Sequence, residues 1–197
     1  MQQEQTRMPH PYVISQDIRG LLEDWASQRG FCAPDLGFFR EWRGKFTDKL
    51  KTVFGNVHSL DEEEIKEGIR ERVARFSLPV ISMDRAYFEG DAYYLDITRL
   101  VHPSTLEKEQ FIGSRTGESA EEQLARIVGM VKGRERAAAQ LVDDVLFTGK
   151  DLLKLLAYFS RQGIVISRVV VGVLTGEASQ RIKKSYPEVE LDAVHEY

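Results

Sequence analysis

One cysteine, Cys32, stands in 197 residues. No internal disulfide can form, and a cysteine-rich zinc site is excluded. Histidine is scarce too. His10, His58, His102 and His195 show no ligand-like spacing, so a metal would need oxygen ligands. No apolar run, the N-terminal segment included, approaches the roughly 18 residues of a membrane span. Charge of one sign is not in excess. The 27 basic and 31 acidic side chains leave a net −4, which does not favour a general nucleic-acid binder. Internal repeats and low-complexity segments are missing. These absences lead us to expect a soluble, cytoplasmic protein whose partner is a small molecule or another protein. The apolar fraction of 42% is enough for a real core.

Two rhythms divide the chain. Residues 1 to 13 are polar with two prolines and read as a loose tail. Ile18, Leu21, Leu22 and Trp25 then recur at helical spacing. Leu36, Phe39, Trp42, Phe46, Leu50 and Val53 form a second stripe, with Pro34 placed for its first turn and Gly55–Asn56 as its break. Ser59 and Glu62 read as a capping box opening a third helix, with Ile65, Ile69, Val73 and Phe76 on one face. Pro79 ends that helix at the latest.

Alternation begins afterwards. "AYYLDITRL" (92 to 100) reads as a strand. Residues 101 to 118 read mostly as loop, with a short strand at Phe111 and Ile112. Ser119 and Glu122 form another capping box, ahead of a helix carrying Leu124, Ile127, Val128 and Val131. A strand is predicted over 138–146, a helix over 151–162 with Gly163 as its stop, and a strand over 164–174. A short helix and a last strand at 188–194 complete the chain. Strands separated by helices of this length predict an α/β fold with a mostly parallel sheet. The expected division is a helical region over 1–85 and an α/β domain over 86–197.

"QLVDDVLFTGKDL" (140 to 152) carries the chemistry. Asp143 and Asp144 follow an apolar strand, at the end where open α/β sheets place ligands. Adjacent carboxylates there repel one another and cost desolvation. Ribose hydroxyls, a cation or basic neighbours would each offset that. The "FTGK" turn then leads into a helix, and N–H groups at a helix start cradle phosphate. The plainer alternative pairs the two aspartates with arginines and uses Asp151 as the helix cap.

The segment resembles the phosphoribosyl-pyrophosphate motif of the type I phosphoribosyltransferase family: an apolar strand, two acids, two apolar residues and a Thr/Gly loop. Asp143, Asp144, Val145, Leu146, Thr148 and Gly149 match. The resemblance covers roughly residues 91 to 194. It implies a phosphoribosyltransferase-like, Rossmann-like sheet with flanking helices. It also implies that Asp143 and Asp144 contact the ribose, directly or through Mg²⁺ and solvent, with the loop Phe147, Thr148, Gly149, Lys150 and Asp151 on the 5′-phosphate. Phe147 and Asp151 depart from the pattern. Asp151 stands where a Ser or Thr hydroxyl is usual.

The resemblance also implies a diphosphate turn, best matched by "GSRTGE" with Ser114, Arg115, Thr116 and Gly117, and a lid, best matched by Lys132, Arg134 and Arg136. Each has a plain reading as a turn. Asp96 and Arg99 would border the cleft if their strand is the first of the sheet. Tyr87, Phe88 and Tyr93 are candidate base-stacking rings, though core aromatics are commoner. The implied activity is transfer of a phosphoribosyl group to or from a base, with Mg²⁺. The alternative is a non-catalytic module that keeps the fold. The N-terminal helices would then serve as a hood, or as the contact to a second copy or partner protein.

Overall fold

The computed structural model describes residues 11–14, 18–101, 108–114, 117–134 and 137–197. The chain divides into two compact units, Met1–Ile65 and Lys66–Tyr197.

In the first unit the expected tail ends in a strand. β1 (Tyr12–Ile14) pairs in parallel with β2 (Val57–Ser59), and the Tyr12 ring stacks on Phe54 at 4.2 Å. Between them lie α1 (Ile18–Arg29) and α2 (Leu36–Phe54). Asp35, not Pro34, opens α2: its Oδ1 accepts the Phe38 N–H at 2.9 Å. Gly55 closes it at φ 72°, a left-handed value that suits glycine. The capping box expected from Ser59 is not made. Ser59 ends β2, and Asp61 Oδ1 accepts the N–H groups of Glu63 (2.8 Å) and Glu64 (3.4 Å). Aspartate caps as well as serine and stands next to the first turn. That helix, α3 (Glu62–Ala74), runs across the boundary into the second unit.

The second unit continues with β3 (Val80–Ser82), β4 (Tyr93–Tyr94), β5 (Ile97–Val101), β6 (Lys108–Ser114), α4 (Ala120–Lys132), β7 (Ala138–Leu146), α5 (Lys150–Arg161), β8 (Val165–Leu174), α6 (Gly176–Ser185) and β9 (Glu190–Glu196). Five strands form one all-parallel sheet in the order β4-β3-β7-β8-β9. The fold is thus α/β, with helices flanking a parallel sheet. Such sheets are buried on both faces. Leu141, Val142, Val169, Val170 and Val171 accordingly have no exposed surface. Ile127 and Val131 of α4 and Leu152, Leu156 and Phe159 of α5 complete the core.

Two strands differ from expectation. β3 is three residues long and directly follows Pro79, too short for a visible alternation. "AYYLDITRL" is not one strand but two. Tyr93–Tyr94 pair with β3, and the Ile97 N–H then closes a tight turn onto the Leu95 carbonyl at 2.9 Å. Beyond that turn β5 pairs antiparallel with β6, outside the main sheet.

The end of α3 is fastened to the sheet by buried polar side chains. Arg168, 2% exposed, donates to the Arg72 carbonyl at 2.7 Å and to Asp192, and its guanidinium lies over the Phe76 ring at 4.3 Å. The amide of fully buried Gln140 donates to the carbonyls of Val73 (3.4 Å) and Leu78 (3.3 Å). The Arg72 and Val73 carbonyls also accept the Arg75 and Phe76 N–H groups at 3.3 Å, so the side-chain donors add second bonds at the helix end.

Candidate functional site

The sheet has a topological switch point. From β3 the chain steps to β4 on one side; the later strands β7, β8 and β9 lie on the other. Ligands of open α/β sheets bind where this reversal leaves a crevice, at the carboxyl ends of the strands. Here that place is between β3 and β7.

The register sharpens it. Pairing of β3 with β7 ends at Ser82–Val142, with one further bond from the Met83 N–H to the Val142 carbonyl at 2.9 Å. On its other side β7 stays paired with β8 as far as Leu146–Leu174. Asp143 and Asp144 therefore stand just where one neighbour stops, half-buried in a notch.

The Asp143 carboxyl is held well above the usual carboxylate range. Burial is the largest cause, followed by the charge of Asp144, a side-chain hydrogen bond with it, and the charge of Asp84. Only a backbone hydrogen bond from Asp144 opposes them. That N–H reaches Asp143 Oδ1 at 3.0 Å, and the Val145 N–H reaches Asp144 Oδ1 at 2.7 Å. A notch lined with half-buried like charge favours hydroxyl donors or a cation. Among the described residues, no three His, Cys, Asp or Glu side chains are grouped to hold a metal ion by themselves. A cation here would draw further oxygens from a ligand or solvent.

The loop after β7 is built from behind by α6. Thr175 Oγ1 donates to the Phe147 carbonyl at 2.5 Å, and Arg181 donates to the Thr148 carbonyl. Gly149 is buried with φ 66°. A Cβ there would lie 3.2 Å from two side-chain carbons of Ile182. Both its conformation and its close approach demand glycine. Gly149 is also the N-cap of α5, and it brings no side-chain acceptor to the first turn. Helix α4 differs: Ser119 Oγ accepts the Glu122 N–H at 3.2 Å, and the Glu122 carboxylate accepts the Ser119 N–H at 2.8 Å. The Ser119 N–H and the Ser119 hydroxyl, which donates at 2.9 Å, hold the Glu122 carboxyl below its ordinary range.

Asp151 does not cap α5. Its Oδ1 accepts from Lys154 Nζ at 3.2 Å, one turn along. Phe147, Thr148 and Lys150 are exposed. Asp143, Asp144 and the five residues 147–151 are thus gathered on one strand, loop and helix start.

The other candidates divide. Ser114 ends β6. Gly117 is exposed with φ 86°. Arg115, Thr116 and Arg136 lie outside the described residues. The segment nears the same sheet edge through buried Gln123, whose amide donates to the carbonyls of Asp96 and Glu118, both at 3.3 Å. Lys132 and Arg134 are not brought to the acidic pair. Helix α4 carries the chain back to the amino ends of the strands, and β7 must then be followed from Ala138 to Val142, at roughly 3.3 Å per residue, before Asp143 is reached. Arg134 binds the Tyr93 hydroxyl there, at 3.1 and 2.9 Å. A groove of about 150 Å³ at that opposite end, lined in part by Ser77, Pro79, Asp91 and Arg134, is separate from the notch. Tyr87 and Phe88, candidate stacking rings, are buried.

Sequence reasoning passed over Asp84 and Arg85. Asp84 follows β3 and adds its charge to the notch. Arg85 grips Asp96 with two bonds, 2.6 and 2.8 Å, and lies over the Tyr94 ring at 4.0 Å. The signal was present: "VISMD" is an apolar run ending in an acid, like "LVDD".

No family model and no curated protein matches the sequence. Among solved structures the chain is similar to TT1426 from Thermus thermophilus, at 18% identity over 70% of this chain and 84% of that one, TM-score 0.41. It is similar to the AQ2163 protein from Aquifex aeolicus, at 17% identity over 67% and 71%, TM-score 0.41. It is also similar to orotate phosphoribosyltransferase from Aeropyrum pernix, at 18% identity over 68% of each chain, TM-score 0.37.

Proposed function

We propose that this chain binds a ribose 5-phosphate group, presented by phosphoribosyl pyrophosphate or a nucleotide, at the notch between β3 and β7. The observation that carries the reading is the continuity of two complementary features. A half-buried acidic pair at the switch point is followed, one short loop later, by a helix start whose cap glycine offers no acceptor. Vicinal ribose hydroxyls would donate to Asp143 and Asp144. The 5′-phosphate would take the first-turn N–H groups of α5, the Thr148 hydroxyl and the charge of Lys150. Asp151 repels a phosphate less when paired with Lys154. Asp143 and Asp144 would help hold Mg²⁺, directly or through solvent, and the ion would supply positive charge beside the ligand's oxygens.

Phosphoribosyl transfer is the reaction this placement would serve. The ring carbon becomes cation-like as diphosphate departs, and the protein contributes position and charge rather than a nucleophile. A second reading, a binding module without catalysis, is favoured by Lys132 and Arg134. Neither reaches the edge where the leaving diphosphate would need them.

Thermal unfolding with phosphoribosyl pyrophosphate and Mg²⁺ tests the binding. At a hundredfold excess over Kd the ligand stabilises by about 2.7 kcal/mol, roughly 5–10 °C for a chain of this size. The Asp144→Asn variant should lose the shift. No shift in the unaltered chain would refute the reading. Release of diphosphate in the presence of nucleobases separates transferase from binder.

A further inference from the structure

α2 has two apolar flanks and uses one. Phe39 is buried, Leu50 half-buried, and Arg43 on the same side reaches Asp61 at 3.6 Å. Turned by up to a third of a circle, Phe38 (53% exposed), Trp42 (44%), Phe46 (40%) and Val53 (67%) face outward. They recur at positions i, i+4, i+8 and i+15, which keeps them on one stripe. The rings of Trp42 and Phe46 lie parallel, their centroids 5.5 Å apart. The first unit has little core to set against this. Among its described residues the buried apolar side chains are Phe39, Val57, Leu60 and Ile65. A unit of that size with so small a core is marginal until its exposed apolar face is covered.

We propose that a second copy of this chain covers the stripe, the two α2 helices packing antiparallel about a two-fold axis. Area and charge select this occupant. Aromatic side chains bury roughly 150–250 Å² each when covered, so three that are about half exposed, with the smaller Val53, offer on the order of 350 Å². With a polar rim of similar extent, that approaches the roughly 800 Å² per partner of a standard interface. The rim carries both signs on one flank: Glu41 and Lys45, 68% and 74% exposed, bridge at 2.5 Å within the helix. A surface that mixes its own charges suits a self-complementary contact better than a strongly acidic or basic partner. With the axis level with Arg43, Glu41 faces the partner's Lys45, and Lys45 faces the partner's Glu41. Trp42 then lies between the levels of the partner's Trp42 and the partner's Phe46.

Sedimentation equilibrium of the full chain tests this. We expect twice the 22.5 kDa chain mass at micromolar concentration, and monomer for Trp42→Glu with unchanged helical circular dichroism. Glu41→Lys and Lys45→Glu should each weaken association at least fivefold. Mixing these two variants should restore it, because their opposite flanks then face each other across the axis. A monomer up to 100-fold higher concentration would overturn the proposal. So would a dimer indifferent to Trp42→Glu, or failure of the mixture to exceed either variant alone.

Discussion

Asp143 is the residue on which the site turns. Its carboxyl is raised by burial and by two neighbouring carboxylates, so the folded state holds its proton more tightly than the unfolded chain does. The sign follows from linkage: below the unfolded carboxylate value, about 3.9, Asp143 costs nothing. As pH rises from there toward the raised folded value, stability falls, and the loss is complete above it. Asp143→Asn should therefore raise the melting temperature at neutral pH and flatten its pH dependence, while abolishing ligand binding. Thermal scans across pH 4 to 8 read both. An unchanged or lowered melting temperature at neutral pH would contradict the burial argument. Gly149 makes the opposite prediction. Gly149→Ala combines a left-handed φ with a methyl pressed on Ile182, and should cost about 1–3 kcal/mol by urea titration. At this scale the sequence was legible where one residue type has one use: the acid pair, the Gly149 turn and the Ser119 cap. Asp84 was not legible, because its role depends on β3 lying beside β7, a non-local fact.

At the scale of elements, periodicity found α1, α2, α3, α4, α5, β7 and β8 within a few residues. It failed where pairing overrides pattern. β3 has three residues and exists because β7 offers an edge at Gln140 to Val142. The alternation of residues 92–100 continues unbroken through Leu95, yet a turn there assigns its halves to two sheets. A cap from Ser59 was equally plausible on spacing, and Asp61 won by adjacency. The fastening of α3 was invisible, since Arg168 sits in an apolar run with no local partner. It yields a prediction. Arg168→Met removes a buried partner of Asp192, 17% exposed, which keeps Arg72 at 2.8 Å and Arg75 at 3.6 Å. The loss should therefore stay below the roughly 3–5 kcal/mol of a buried charge left with no partner. Denaturant unfolding should show a loss of about 1–3 kcal/mol for the α/β unit. A loss below about 1 kcal/mol, the worth of an exposed pair, would mean solvent replaces the guanidinium.

At the scale of the whole molecule, strand order decides what can meet. The carboxyl edge collects the ends of β3, β7 and β8, and the switch point puts the acidic pair in its crevice. The same topology removes Lys132 and Arg134 to the far edge, because a helix-to-strand connection in a parallel sheet lies at the amino ends. Sequence distance hid this: Arg134 is only nine residues from Asp143, yet most of a strand separates them. The measurement that tests the central claim most directly is titration calorimetry of phosphoribosyl pyrophosphate in Mg²⁺ into the unaltered chain and Asp144→Asn. The account predicts saturable, Mg²⁺-dependent, one-site binding that the substitution weakens at least tenfold. Absence of binding in the unaltered chain, or equal binding in both, would contradict it.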